Sequence, residues 1–221
     1  MASSQKDFGL WSGVDVRVPM TKKLSAGIEI QARFKDNISR VDNSFLSPYL
    51  KYDVHRHLGI GVDYRFTNEA GPSGFFGTTN LHRICLDIEA NKLVDLIADD
   101  SRFDASVRVR YTHENTLGDQ NNDYLRMQVN VKYKLSKSKL EPEVAAELFY
   151  RFNDQLSYSF SEVRSRSRFN KYRVRVGLNY DLNKQNSVKI FYMVQSGIES
   201  PKADFILGVG YTYRFKKLFK K

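Results

Sequence analysis

Apolar and polar residues alternate along most of this chain with the period of two that is typical of β-strands. Between Leu24 and Phe34, every second residue is apolar, whereas Glu29, Gln31 and Arg33 occupy the other face. Eleven segments with this pattern can be recognised, each about as long as a tilted membrane-crossing strand needs to be. Their residue ranges are 8–18, 24–34, 46–54, 58–66, 83–90, 103–111, 125–135, 141–152, 172–182, 188–194 and 205–215.

The final segment, Phe205–Phe215, adds an aromatic feature to this pattern. Its apolar face ends in Tyr213 and Phe215, and its other face carries Gly208 and Gly210. An apolar face that ends in aromatic residues suits the lipid-facing side of a membrane barrel. We interpret the glycines as strand positions that make room inside such a barrel.

Connections between the predicted strands also show a regular pattern. Tight turns follow the first, third, seventh and ninth segments, and longer connections follow the even-numbered ones. The longest predicted loop is 153–170, and segment 91–101 is expected either to extend a hairpin or to form a small turn of helix. Short turns on one rim and long loops on the other are typical of outer-membrane barrels.

These observations predict an all-β fold, namely an antiparallel up-and-down transmembrane β-barrel of 10–12 strands. Twelve strands are favoured, with ten as the fallback, because bacterial barrels have even strand numbers and eleven antiparallel strands cannot close with both termini on the same side. A chain of 221 residues is expected to form one barrel domain over 1–221, with a disordered start at 1–6 and a basic tail at 216–221.

A soluble barrel would alternate in the same way but with its apolar face inward. The membrane barrel is favoured because aromatic residues lie near strand ends and because the polar face carries charges of both signs. Arginines among carboxylates suggest a confined lumen crossed by ion pairs and largely filled by side chains. The predicted lumen network consists of Glu29, Arg33, Asp63, Arg65, Asp87, Arg108, Arg110, Glu143, Glu147, Arg173 and Arg175.

The composition agrees with a membrane β-barrel and bears on its cellular location. Mean hydropathy is −0.50 and no run of 18 apolar residues occurs, so a membrane-spanning helix is not expected. The first residues contain no apolar signal segment, so we expect the mature form of a bacterial outer-membrane protein, with the signal peptide absent. Cys85 is the single cysteine, which excludes an internal disulfide framework and a cysteine metal cluster.

The net charge of +10 raises the question of an anionic partner. The positions of the charges favour a solvated surface and internal ion pairs, so nucleic acid is not expected as a partner. Four basic residues fall in or beside the longest predicted loop: Arg164, Arg166, Arg168 and Lys171. They could bind lipopolysaccharide phosphates or an acidic partner, or they could be an ordinary solvated charge run. Outer-membrane lipid, lipopolysaccharide and a second envelope protein are the candidate partners.

Four stretches resemble a known family. They are Asp7–Trp11, Thr21–Leu24, Arg33–Asn37 and Leu207–Tyr211. The chain resembles, over essentially its whole length, the Bacteroidota barrels catalogued as domain of unknown function 2490. The resemblance implies an outer-membrane β-barrel and supplies no catalytic residues.

Few residues suggest chemistry, and no catalytic residue, metal site or cofactor is predicted. His55 and His57 lie one residue apart in a turn, where solvated histidines are more common than metal ligands. Glu141, Glu143 and Glu147 share one strand face, where charge balance inside a narrow lumen is favoured over a cation path.

The expected function is therefore that of a non-enzymatic, structural or accessory outer-membrane barrel or a narrow channel. One alternative is a membrane lipid hydrolase, for which His113 with a serine of residues 157–167 is the pairing to test. The other is a soluble basic barrel that binds a ligand or nucleic acid.

Overall fold

A computed structural model describes the fold of this chain, including side chains except those of residues 116, 153–159 and 162–166. The predicted disordered start, 1–6, and residues 217–221 of the predicted basic tail lie outside the described residues. The described ranges are 7–71, 79–97, 102–116, 122–159, 162–198 and 202–216.

The described residues form eleven β-strands and one short 3₁₀ helix, Leu93–Leu96, between the fifth and sixth strands. Among these residues, no helix is both long enough and apolar enough to cross a membrane. All eleven predicted segments correspond to strands, and none runs more than two residues past the end of its strand, so the all-β prediction is confirmed. The strands are β1 Asp7–Pro19, β2 Leu24–Lys35, β3 Arg40–His55, β4 Leu58–Glu69, β5 Thr79–Ala90, β6 Phe103–Thr116, β7 Asn122–Tyr133, β8 Leu140–Ser159, β9 Glu162–Asp181, β10 Asn186–Gly197 and β11 Ala203–Arg214.

The strands close into a barrel in which the first and last strands are parallel. Every strand pairs antiparallel with its neighbour in sequence, and β1 pairs parallel with β11, for example Ser12 with Val209. The prediction of twelve strands in a wholly antiparallel barrel is therefore wrong. Eleven strands can close because the first and last strands of an odd-numbered meander run in the same direction.

The two ends of the barrel are called here the upper rim, where β1 begins, and the lower rim, where β1 ends. The predicted alternation of connection length is not found among these strands. The connection 91–102 lies on the lower rim, whereas the upper-rim turn between β2 and β3 comprises only residues 36–39. Three of these four turn residues, Asp36, Asn37 and Ile38, have positive φ, so a tight turn replaces the expected polar loop.

The predicted loop 153–170 is instead the hairpin of β8 and β9, each of which is 20 residues long. The register between them shifts at several positions, including Arg151/Asp154 and Ser157/Ser159. Arg164, Arg166, Arg168 and Lys171 consequently lie in a strand. Serine and arginine alternate here with period two, but neither face is apolar, so the polarity of the segment concealed its strand character.

The two faces of the wall differ sharply in exposure. Leu86 and Ile190 on the outer face are each 52% exposed, whereas Asp87 and Arg110 on the inner face are 4% and 7% exposed. The apolar positions therefore lie outside and the charged positions inside. A soluble barrel with its apolar face inward is not what the chain forms.

Aromatic residues cluster on the outer face towards both rims. Near the upper rim, the Tyr64 hydroxyl lies 2.6 Å from His82 Nδ1, and the Tyr111 hydroxyl donates to Asp123 at 2.7 Å. Near the lower rim, the rings of Phe103 and Tyr133 lie 4.9 Å apart. Aromatic and polar side chains at both ends thus frame an aliphatic band.

Candidate functional site in the charged lumen

The lumen contains a buried ion-pair cluster from three neighbouring strands. The Arg110 guanidinium donates to both carboxylate oxygens of Asp87, with Nε–Oδ1 at 2.6 Å and Nη2–Oδ2 at 2.5 Å. Its Nη2 also lies 2.6 Å from Asp63 Oδ2. Because all three groups are buried, each charge depends on the others for compensation.

A second cluster surrounds the two glutamates of β8. Glu147 Oε1 lies 2.6 Å from Arg126 Nη2, and Glu147 Oε2 lies 3.3 Å from Arg173 Nη1. Glu143 pairs with Lys189 and lies 3.2 Å from Arg175 Nη2. Glu143 and Glu147 thus contact basic side chains of β7, β9 and β10, which gives the charge balance expected for their strand face.

The remaining predicted lumen residues are paired less completely. Arg65 Nη2 lies 3.4 Å from Glu29 Oε2, and Arg108 donates to the amide oxygen of Gln128 at 2.7 Å. Arg33 donates to the Gln31 side chain at 2.7 Å but has no carboxylate partner among the described residues. The structure therefore brings the eleven predicted residues to one interior, but Arg33 does not pair with Glu29 of its own strand.

Sequence reasoning missed the aromatic residues that face the lumen. The Trp11 ring centroid lies 3.9 Å from the Arg33 guanidinium carbon and 5.2 Å from that of Arg173. The guanidinium carbon of Arg65 similarly lies 3.9 Å from the Phe45 ring centroid. The signal was available, because Trp11 and Phe45 stand on the polar face of their strands, out of phase with the apolar positions.

Phe149 shows the same feature with three cations around one ring. Its centroid lies 4.5 Å from Lys171 Nζ, 4.6 Å from the Arg173 guanidinium carbon and 4.9 Å from that of Arg126. Glu147 pairs with both arginines. Lys171 has no hydrogen-bonded or ion-paired partner among the described residues, so its ammonium relies on the ring.

These residues border a cavity of about 480 Å³ in the upper half of the lumen, here called the upper chamber. Glu69 is the last residue of β4 and Thr79 the first of β5, so the chamber extends to the upper rim. Its lining consists of Arg33, Arg65, Glu69, Thr79, Leu81, Arg83, Cys85, Thr112, Glu114, Tyr124, Arg126, Phe149, Asn170, Lys171 and Arg173.

The four residues predicted as an anion-binding loop do not form one group. Lys171 lies in the upper chamber, whereas the side chain of Arg168 does not line it. The side chains of Arg164 and Arg166 fall outside those described. Their role in anion binding remains a prediction.

The histidines are divided between the lower rim and the outer face. His55 and His57 face each other at 5.7 Å between ring centroids, and His57 Nδ1 lies 3.2 Å from the Asn91 carbonyl. His113 Nδ1 lies 2.8 Å from Asp123 Oδ1 on the outer face near the upper rim. The described residues contain no group of three or more histidine, cysteine or acidic side chains placed to hold a metal ion.

His113 and Asp123 have the base-and-acid arrangement of a hydrolytic triad, but the described residues place no serine beside them. Of the serines predicted as partners, only the side chain of Ser167 is described, and it is exposed on β9. The hydrolase alternative is therefore not supported by a completed triad.

One ion pair connects two lower-rim connections outside the strands. Arg56 Nη2, between β3 and β4, donates to Asp95 Oδ2 at 2.8 Å. This hydrogen bond, together with the charge of Arg56, holds the pKa of Asp95 below its usual value. The pair fixes the 3₁₀ helix against the neighbouring turn.

The barrel fold is supported by a solved structure whose TM-score exceeds 0.5. The β domain of the Bordetella autotransporter BrkA is similar with a TM-score of 0.52 and 12% identity, over 87% of this chain and 83% of that chain. Outer-membrane expressed OmpT of Vibrio cholerae is similar over 79% of this chain, with a TM-score of 0.41 and 8% identity; the match spans 54% of the OmpT chain.

The strongest relationship is to a family rather than to an individual protein. No curated protein matches the sequence. The model of one family, described as protein of unknown function (DUF2490), matches residues 8–206, which is most of the chain. The family prediction is thereby confirmed, and this eleven-stranded barrel belongs to the DUF2490 family.

Proposed function

We propose that this protein is a non-enzymatic outer-membrane barrel, either a structural or accessory protein or a narrow channel. The observation that carries the proposal is the inverted distribution of its residues, with an aliphatic band outside and ion pairs inside. The Gram-negative envelope is part of the proposal, and the Bacteroidota origin remains a prediction.

The outer face supports membrane insertion on energetic grounds. Side chains such as Leu86, Ile88 and Ile190 are each at least half exposed. Soluble monomers rarely present a continuous apolar surface of this kind, because its contact with water is unfavourable. A hydrocarbon layer would cover the band, and the aromatic residues near both rims would lie at its interfaces.

The interior supports a lumen that side chains narrow, with the upper chamber as a cavity between them. Paired charges reach across intervening strands, from Glu29 on β2 to Arg65 on β4 and from Asp63 on β4 to Arg110 on β6. Trp11, Phe45 and Phe149 occupy further space between the charges. Barrels with few strands have little interior room beyond their side chains, which favours a plug or a narrow path over a wide pore.

Gel mobility in SDS, with and without boiling, tests the barrel on detergent-refolded protein. We expect a heat-dependent shift, because a closed hydrogen-bonded wall resists SDS until it is heated. Identical mobility together with solubility in the absence of detergent would overturn the membrane proposal. Single-channel conductance in planar bilayers then separates the two roles: discrete small steps indicate a narrow channel, and their absence a structural or accessory role.

Labelling with a fluorophosphonate probe tests the non-enzymatic part of the proposal. We expect no labelling, because no described serine adjoins His113 and Asp123. Covalent labelling that is lost on His113→Ala but kept on His82→Ala would instead establish a serine hydrolase. His82 is a suitable control because it also lies on the outer face near the upper rim.

A further inference from the structure

The upper chamber has a charge imbalance that the rest of the site leaves unexplained. Six cationic side chains line it: Arg33, Arg65, Arg83, Arg126, Lys171 and Arg173. Among the described residues, the negatively charged side chains in the lining are those of Glu69 and Glu114. Glu29 and Glu147, which pair with lining arginines from below, bring the carboxylates to four. Two positive charges remain in excess.

The excess can be assigned to particular side chains. Arg83 is paired with Glu114, Arg65 is paired with Glu29, and Arg126 and Arg173 share Glu147. The charge left over from that shared pair is offset in the balance by Glu69. Arg33 and Lys171 are the lining cations without a carboxylate partner among the described residues. Both contact aromatic faces, Arg33 that of Trp11 and Lys171 that of Phe149, which lessens but does not neutralise a confined charge.

Confined like charges are unfavourable unless an anion joins them. A phosphate monoester carries about −1.5 to −2 charges near neutral pH, which matches the excess of two. Guanidinium groups also suit it, because their planar forks donate two parallel hydrogen bonds to phosphate oxygens. A singly charged anion would leave part of the imbalance in place.

The size and the lining of the chamber favour an ester over a bare ion. Its volume of about 480 Å³ exceeds what one phosphate requires and lies within the range of small-molecule sites, about 300–1,000 Å³. Tyr124 and Phe149 provide surface for an organic group beside the cations. The Asn170 side-chain oxygen is buried in the same lining, has no hydrogen-bond partner among the side chains that the structure describes, and can accept from a ligand hydroxyl.

We propose that the upper chamber binds a soluble phosphate ester that enters by the upper rim. The barrel wall separates the chamber from the lipid-facing surface, so the occupant is a solute rather than a membrane lipid. Arg33 and Lys171 supply the uncompensated charge, and the paired arginines around them supply further donors. This inference does not depend on whether the barrel conducts ions.

Isothermal titration calorimetry on the refolded barrel in neutral detergent, at fixed ionic strength, tests this site. Glucose 6-phosphate is expected to bind, because its phosphate supplies the negative charge that the chamber lacks. Glucose, which differs only in having no phosphate, is not expected to bind. Arg33→Gln and Lys171→Met should each weaken binding by about tenfold, as expected for the loss of one charge-assisted hydrogen bond. Neither substitution leaves a carboxylate without its partner, so folding should be retained.

Two variants control for nonspecific charge effects. Lys171→Arg keeps the charge and should retain binding within about threefold of the original. Lys51→Met removes an interior charge outside the chamber, from the pair with Glu89, and should leave binding unchanged. Equal binding of glucose, no binding of glucose 6-phosphate, or equal weakening by Lys51→Met would overturn the site. A heat-dependent mobility shift in the same preparation establishes that the barrel itself is folded.

Discussion

At the residue scale, the stability of the lumen depends on which charges share a partner. Arg110 compensates two buried carboxylates, whereas Arg108 donates mainly to a neutral amide. Both arginines lie on β6 and face the same interior. They form a matched pair that differs chiefly in its carboxylates, because Arg110 binds two at short distance whereas Arg108 lies 4.0 Å from one, Glu89.

Arg110→Met should destabilise the barrel by about 3–5 kcal/mol, because Asp63 and Asp87 would remain buried without a counter-charge. Arg108→Met should cost about 1 kcal/mol or less. Urea unfolding of the barrel in lipid vesicles measures both values. Adding Asp63→Asn and Asp87→Asn to Arg110→Met should recover part of the loss. Equal destabilisation by the two arginine variants would contradict the assignment of Arg110 as the central cation.

Gly208 and Gly210 face the lumen from the same strand but meet different surroundings. A Cβ at Gly208 would collide with the Phe191 ring, whereas a Cβ at Gly210 would lie 3.9 Å from Cβ of Lys189. The interpretation of these glycines as space-making positions therefore applies strongly to Gly208 and weakly to Gly210.

Gly208→Ala should lower the free energy of unfolding by about 1–3 kcal/mol, as overpacking usually does. Gly210→Ala should change it much less. Thermal melting followed by SDS gel mobility compares the two variants. Phe191→Leu should relieve the Gly208→Ala defect, and an additive loss in the double variant would show that the ring is not the cause.

At the element scale, the parallel pair of β1 and β11 decides how the barrel closes. The period-two pattern predicts strands but contains no information on the direction of the closing pair. An even strand number follows only if every pair, including the closing pair, is antiparallel. A single parallel pair removes that requirement at little cost, since parallel pairing is only slightly less stable per residue.

A disulfide between Ser12→Cys and Val209→Cys, in a Cys85→Ser background, tests the parallel pairing of β1 with β11. These residues are register partners on the outer face, so mild oxidation should link them efficiently. Ser12→Cys with Tyr213→Cys, which displaces one partner by four residues along β11, should not link. The cross-linked product is detected by its altered mobility in unboiled and boiled non-reducing gels. Equal linking of both pairs would contradict the register.

At the scale of the whole molecule, the outer surface distinguishes a membrane barrel from a soluble one. Leu86 lies in the middle of β5 and is 52% exposed, whereas Ile97 lies in the lower-rim connection and is 91% exposed. If lipid covers the strands, the position of a charged substitution should matter more than the exposure of the residue that it replaces.

Leu86→Lys should reduce the stability of folding into lipid vesicles by about 2–4 kcal/mol, the cost of lysine near the bilayer midplane. Ile97→Lys should have almost no effect. Folding yields in vesicles at graded urea concentrations measure the difference. In a soluble barrel, Leu86→Lys would instead improve solubility and cause no loss of stability.

The sequence by itself determined the strands, their inner and outer faces, and the family. These properties follow from the alternation within each segment, because that alternation is local and does not depend on which strands pair with the segment. It also determined that residues such as Asp63, Asp87 and Arg110 would share an interior.

Only the tertiary structure decided the strand number at closure, the β8–β9 hairpin and the partners of each charge. Glu29 meets Arg65, which is 36 residues away, and not Arg33 on its own strand. The upper chamber likewise combines side chains of β2, β4, β5, β6, β7, β8 and β9. The physical reason is that barrel closure and lumen pairing depend on contacts between strands, whereas the alternation in the sequence specifies only the face on which each residue lies.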